Sequence, residues 1–533
     1  MSKIFKVILP IKLNKEFHYR GNVEKPGDLV EVPFGRQKQL GIVWEEVQNS
    51  DCPANKLKDI GEVLVRDLYS QDFREFMQYF ADYNITNLGQ VLSLILPNKT
   101  ILQAKTRKKD PILDPAELVY NAPSFSAAQQ ESLDKLKDYQ QDNKFSVTFL
   151  NGITGSGKTE LYFDLIAERL KEPYGQALIL LPEILLTKQF IDKFEKRFNL
   201  KPQIWHSSTS AKDKKRIWQA LLKNEIRIVV GARSALFLPF KQLRTIILDE
   251  EHDASYKQED QLPYHGRDMA VVRAYKENIP ILLASATPSL ETRHNCDIGK
   301  YKEVCLAERY KGNLPRTHII DMKRENLETG KWLSPELKKQ ISLKLASKEQ
   351  AMLFLNRKGY APLKICSNCG YRFKCESCDV WLVEHKKLNK LVCHHCDFKI
   401  SNVKKCPKCE EEEKFVSYGP GVERIAEEVK EYFPEARVAL ITSEESKNLN
   451  VVKEIIEQIE KGEIDIIIGT QIISKGHHFS KLNLVGVIDG DIGDIADLRS
   501  SEKMFQLLSQ ISGRAGRESE GEVYIQAYNP ESS

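Results

Sequence analysis

Short runs of apolar and β-branched residues alternate with stretches of helical spacing along most of the 533 residues. From about residue 125 the runs are "FSVTFL", "QALILL", "IRIVVG", "TIILDE" and "PILLAS". The alternation returns with "AMLFLN", "RVALIT", "DIIIGT", "LVGVID" and "GEVYIQ". This pattern predicts two α/β lobes, each a mostly parallel sheet with flanking helices. Residues 1–104 differ. "KIFKVILPIKL" and "GDLVEVPFGRQKQLGIVWEEV" are β-rich and punctuated by glycine and proline, and "DFREFMQYFADYNITNLGQVLSLIL" has helical spacing, so a separate β-rich domain is expected. The polar stretch at 105–124 reads as a linker. Lobe one is expected at 125–325 and lobe two at 326–533, interrupted at 363–412 by a cysteine-rich region.

Composition changes little: 41% hydrophobic and 29% charged residues are ordinary for a globular chain, and a net charge of +4 permits a nucleic-acid partner without arguing for one. The longest apolar stretch, "QALILLPEILL", is too short to span a bilayer. Lys6 and Lys12 break the apolar run at the start, so it is not a secretory signal. A cytoplasmic protein with reduced thiols and no membrane partner is expected.

Candidate chemistry begins at "GITGSGKT", Gly152 to Thr159, which follows an apolar run and precedes helical spacing, the context a phosphate loop requires. Gly152, Thr154, Gly155, Ser156 and Gly157 let backbone N–H groups wrap phosphates. Lys158 can reach the β- and γ-phosphates, and Thr159 can ligate Mg²⁺. "TIILDEEHD" ends an apolar strand with Asp249, placed to hold Mg²⁺, and Glu250, placed to polarise the attacking water. ATP hydrolysis follows as the expected reaction.

Eight of the 11 cysteines fall between Cys366 and Cys409 as four C-x-x-C units. Two such pairs complete one closed tetrahedral site, so eight thiolates make two structural Zn²⁺ ions. A redox pair rivals one unit but not four in succession. Which pairs share an ion stays open at this point.

Further elements stand in order: "FSAAQ" with Gln129, "LLPEI", "GARSALF", "SATPS", "GTQIISKGHHF" and "QISGRAGR". As an ordered set they resemble the superfamily 2 helicases, whose two RecA-like lobes clamp ATP. That resemblance implies adenine recognition by Gln129, and Arg514 and Arg517 reaching the γ-phosphate.

The segment after "DEEH", "DASYKQEDQLPYHGRDMAVVRA", is similar to the aromatic-rich loop of the PriA family of bacterial primosomal replication-restart helicases. "LFLNRKGYAP", "YGPGVERIAEEV" and "EFHYR…GDLVEVPFGRQKQLGIV" resemble that family too, the last its 3′-DNA-end-binding domain. The family implies a 3′→5′ DNA helicase that recognises stalled or repaired forks and promotes reloading of the replicative helicase. Implied partners are DNA, single-strand-binding protein and other primosome proteins, and the expected state is a monomer. An ATP-driven translocase without strand separation, or a fork-binding scaffold with reduced helicase activity, is the alternative. Tyr256, Tyr264, His265 and Arg267 are candidates to stack on and hold single-stranded DNA. Phe17 and Tyr19 are candidates at the 3′ end. Where the family carries Phe-Asp-Tyr, this chain has Phe17-His18-Tyr19, and histidine lacks the fixed negative acceptor of aspartate. The family's zinc pattern is nested, Cys366, Cys369, Cys406 and Cys409 on one ion and Cys375, Cys378, Cys393 and Cys396 on the other. The linker is too short for a winged-helix domain, and the chain ends where the family continues into a carboxy-terminal domain, so neither is expected.

Overall fold

The computed structural model describes residues 3–531 except 14, 23, 51, 54, 97–118, 143, 183–187, 261, 311–312, 329, 356–362, 367, 379–380, 386–389, 394–395, 397, 413–414, 419–421, 442–448, 471–478, 492–498 and 517–519. It divides into two compact units, Met1–Gly152 with Lys158–Leu306 and Ile153–Gly157 with Ala307–Ser533.

In the first unit the amino-terminal residues form a six-stranded, mainly antiparallel sheet. Its order is Lys58–Asp59, Phe17–Gly21, Lys3–Ile8, Gln37–Val47, Leu29–Phe34 and Val63–Val65. Phe5, Val7, Val30, Val32 and Val43 fill one core cluster, whereas Ile8, Leu29, Leu40 and Ile42 join the core shared with the helices that follow.

Helix α1, Gln71–Tyr83, starts where the Ser70 hydroxyl accepts the Phe73 N–H. Its buried Phe73, Phe76, Met77 and Phe80 recur at helical spacing and make one apolar face. The sequence pattern expects helical spacing to continue, but the chain turns at Ile85, whose φ is 50°, and a second helix, α2, Leu88–Ile95, begins under an Asn87 cap. Helix α1 packs on α3, Gly266–Lys276, in the first lobe. Phe80 meets Phe237 at 5.1 Å and Tyr264 at 5.2 Å between ring centroids, and the fully buried Arg273 guanidinium lies 4.6 Å over Phe73. The β-rich domain and the first lobe thus share one apolar core.

The first lobe is a seven-stranded sheet in the order Lys302–Leu306, Ser146–Gly152, Pro280–Ser285, Leu243–Asp249, Gln176–Leu180, Ile228–Gly231 and Gln203–Trp205. Every pairing is parallel. Ile246, Ile247 and Leu248 are wholly buried, as expected for a central strand covered on both faces.

The second unit carries a six-stranded parallel sheet in the order Arg316–Asp321, Glu522–Ala527, Leu482–Val487, Gln350–Phe354, Ile466–Gly469 and Val438–Ile441. Between Gln350–Phe354 and the helix Val422–Tyr432 the chain builds a separate five-stranded antiparallel sheet bearing the clustered cysteines. Among the described residues no helix is long and apolar enough to cross a membrane.

Candidate nucleotide site and metal centres

The phosphate-loop segment runs from the end of strand Ser146–Gly152 into the helix Lys158–Arg169. Gly155 and Gly157 have φ of 82° and 90°, a left-handed backbone that a side chain would strain. The Lys158 ammonium donates to the Gly152 carbonyl at 2.7 Å. Thr159 lies in the first helical turn, where N–H groups and the helix dipole favour an anion.

Asp249 ends the central strand Leu243–Asp249. Burial, then the neighbouring Glu250 charge, pushes its carboxyl up to about 6, against the pull of Lys158 and the Tyr162 hydroxyl. Tyr162 was not legible as a site residue. Its buried hydroxyl donates to Asp249 Oδ2 at 3.0 Å and also bonds the Thr159 side chain, so one phenol joins the two side chains expected to hold Mg²⁺. Glu250 has a φ of 49°, and its N–H donates to Asp249 Oδ1 at 3.0 Å. His252 Nδ1 lies 3.6 Å from Glu250 Oε2 and 2.7 Å from Ser285 Oγ, with Nε2 at 3.4 Å from Thr287 Oγ1. The turn "SATPS" is therefore wired to the acid turn. These groups, two carboxylates, a hydroxyl and an ammonium around a helix N-terminus, suit a magnesium nucleotide.

Gln129 is buried, and its amide oxygen accepts the Ser126 N–H in a reciprocal capping box. In the second unit, half-buried Arg514 stands in the turn after the helix Ser500–Ser512, whereas Arg517 lies outside the described residues. Arg309, which no motif marked, donates to the carbonyls of Gly513, Ala515 and Gly516 at 3.1–3.2 Å and so shapes that turn.

The expected DNA-stacking faces need correction. Tyr256 is 1% exposed, with its hydroxyl donating to the Asp249 and Leu180 carbonyls at 2.7 and 3.0 Å. Tyr264 is buried against Phe80 and Phe237. Arg267 is buried on Glu251 and Asp268. None of the three offers a face to a base, because each is spent on the interior. His265 is partly exposed, 3.9 Å from Asp268. In the amino-terminal domain Tyr19 is core, its hydroxyl donating to the Pro33 carbonyl, while half-buried Phe17 meets Phe34 edge-on at 5.4 Å. His18 Nδ1 lies 2.8 Å from Ser50 Oγ.

The eight cysteines gather as two nested sets: Cys366, Cys369, Cys406 and Cys409, and Cys375, Cys378, Cys393 and Cys396. Sulfur separations of 3.6 Å (Cys366–Cys409 and Cys369–Cys406) and 3.5 and 3.4 Å (Cys375–Cys396 and Cys378–Cys393) lie close to the roughly 3.8 Å edge of a tetrahedron with Zn–S of about 2.3 Å. The turns are built alike. The Cys366 and Cys406 N–H groups each donate to a carbonyl five residues on, at 2.9 Å, and Gly370 and Glu410 adopt φ of 72° and 60° to close the knuckles. The sites fit zinc, which supplies folding energy that the small core around Phe373, Leu382 and Leu391 lacks. Arg372 anchors the module. Its guanidinium bonds Asp491 Oδ2 at 3.0 Å with both side chains 3% exposed, and Asp491 also accepts the Tyr528 and Asn529 N–H groups.

Comparisons with known proteins agree with this arrangement. Residues 6–97 match the family model for the PriA 3′ DNA-binding domain, 126–295 the DEAD/DEAH box helicase, 375–400 the PriA DNA helicase Cys-rich region, and 398–519 the helicase conserved C-terminal domain. The replication restart protein PriA of Rickettsia conorii is 45% identical, over 95% of this chain and 77% of that protein. Its counterpart in Haemophilus influenzae is 34% identical over 99% and 82%. A DNA-bound crystal structure of the DUF1998 helicase MrfA covers 76% of this chain and 46% of its own at 13% identity and a TM-score of 0.45. With its phosphate loop, its acid turn and two four-cysteine clusters, the chain belongs to the replication restart protein PriA family and is an ATP-dependent DNA helicase that takes two zinc ions and ATP with Mg²⁺.

Proposed function

We propose that this helicase moves 3′→5′, recognises stalled or repaired forks in the cytoplasm, and promotes reloading of the replicative helicase with single-strand-binding protein and other primosome proteins as partners. The observation that carries its motor chemistry is the Tyr162 hydroxyl shared by Thr159 and Asp249, with Glu250 next in the chain. Thr159 and Asp249 would hold the metal, which would supply charge neutralisation at the phosphates. Lys158 steadies the β- and γ-phosphates. Glu250 orients a water and takes its proton, and Arg514 and Arg517 meet charge that develops on the transferred group. Buried Tyr256, Tyr264 and Arg267 serve as the frame of the DNA-responsive loop. Its outward residues, Lys257 among them, and the half-buried Phe17 remain for nucleic acid.

Strand displacement from tailed duplexes tests the reading. The wild-type chain should unwind a duplex bearing a 3′ single-stranded tail with ATP, and leave the 5′-tailed duplex paired. Preference for the 5′ tail overturns the polarity. Hydrolysis without displacement of either favours a translocase.

A further inference from the structure

Glu251 is a fully buried carboxylate that the hydrolysis chemistry above does not use. It accepts four hydrogen bonds: the Ser289 N–H at 2.7 Å on Oε1, and on Oε2 the Ser289 hydroxyl at 3.0 Å, the Thr292 hydroxyl at 2.9 Å and Arg267 Nη1 at 3.1 Å. Its own N–H donates to the Ala284 carbonyl at 3.1 Å, which fixes it to the neighbouring strand. Three segments meet on this one side chain: the acid turn, the end of the loop that begins at Asp253, and the turn "SATPS". The loop grips the acid turn a second time through Tyr256, whose hydroxyl donates to the Asp249 carbonyl. Its two arms are joined by pairing of Lys257–Gln258 with Tyr264–His265, which links the two grips. A carboxylate serves here because it accepts from all four donors at once, and the bond to guanidinium is of the stronger, charge-assisted kind.

We propose that Glu251 is a positioning residue that ties the loop ending at Arg267 and the turn at Ser289 to the Asp249–Glu250 pair, so that single-stranded DNA on the loop raises the rate of ATP hydrolysis through it. The inference rests on the helicase reading above and goes beyond it by naming the coupling group. The Asp249 and Glu250 side chains keep their own contacts with Tyr162 and His252. Loss of Glu251's charge therefore affects response to DNA more than unstimulated hydrolysis.

Glu251→Gln separates these effects. The amide oxygen can retain the Ser289 N–H, and the two hydroxyls can turn to accept, but Arg267 has only donors and meets an NH₂. Thr292→Val removes one hydroxyl and leaves the ion pair as a milder second variant. Hydrolysis is measured with and without oligo-dT on the zinc-loaded full chain. Hydrogen–deuterium exchange of peptides covering 253–266 and 285–293 is followed with and without the oligonucleotide, in the absence of nucleotide. The expected result is a DNA-stimulated rate lowered about tenfold in Glu251→Gln, about the effect of one charged hydrogen bond, and about threefold in Thr292→Val, with the unstimulated rate within twofold of wild type. Oligonucleotide should alter exchange of both peptides in the wild type, and only of 253–266 in Glu251→Gln. If wild type shows no stimulation, the functional reading fails. If wild type is stimulated and Glu251→Gln equally so, the coupling role fails. A parallel fall of both rates, with exchange accelerated throughout the lobe, shows a merely structural carboxylate and overturns the proposal.

Discussion

Replacing Phe80 by alanine asks whether the amino-terminal domain and the first lobe are one folding unit. Phe80 is fully buried and its ring meets Phe76, Phe237 and Tyr264 at 6.3, 5.1 and 5.2 Å, the last two contributed by the lobe. Truncating such a ring costs about 3–5 kcal/mol, because the transfer energy is lost and a cavity replaces three ring contacts that surrounding helices cannot collapse to fill. At about 2.1 cal/mol/K of unfolding entropy per residue over a unit of roughly 300 residues, that lowers its midpoint by about 5–8 °C. Differential scanning calorimetry of the zinc-loaded chain should show this shift in the transition of the first unit, and none in that of the second. Tyr83→Ala, at a side chain 62% exposed on the same helix, should move it by under about 1 °C. A separate small transition for the amino-terminal domain, alone displaced by Phe80→Ala, would refute the shared core.

Other consequences are as direct. The chain should carry two zinc ions and Cys375→Ser one, measured by metal analysis after dialysis. Loss of both ions in that variant would contradict two independent sites. Cys375→Ser should also impair unwinding more than hydrolysis, and equal unwinding by a zinc-depleted chain would refute a role for the module. Arg372→Ala leaves Asp491 buried with two N–H donors in place of three partners. The second unit should lose about 3 kcal/mol, the lower end for breaking a buried pair, read from urea unfolding. Tyr162→Phe removes the hydroxyl between Thr159 and Asp249, so the Mg²⁺ concentration for half-maximal hydrolysis should rise about tenfold, consistent with one hydrogen bond to a charged group.

Much of the architecture was legible because the central strands are buried on both faces and carry unbroken apolar runs. Each of the ten predicted runs overlaps a strand, and "PILLAS" matches its strand to the residue. Gln203–Trp205, Lys302–Leu306 and Arg316–Asp321 escaped for the converse reason. They are edge strands of mixed polarity, half-covered at best and without an unbroken apolar run. The phosphate loop and the cysteine units could be read because contiguous residues carry their chemistry. Tyr162, Glu251 and Arg309 could not, since their meaning lies in partners brought close by folding: Asp249 is 87 positions from Tyr162. Tyr256 and Tyr264 misled in the other direction. Aromatic rings in a polar, charged loop resemble an open stacking platform, and only the packing against Phe80 and Phe237 and the bonds to buried carbonyls reveal that they hold the loop down.

Fork unwinding by the zinc-loaded chain, compared with Lys158→Ala, tests the central claim most directly. With ATP the wild type should displace a labelled strand, and Lys158→Ala, still binding the fork, should displace none and hydrolyse no ATP above background. Strand displacement by Lys158→Ala at the wild-type rate, or none by wild type, would contradict an ATP-driven helicase.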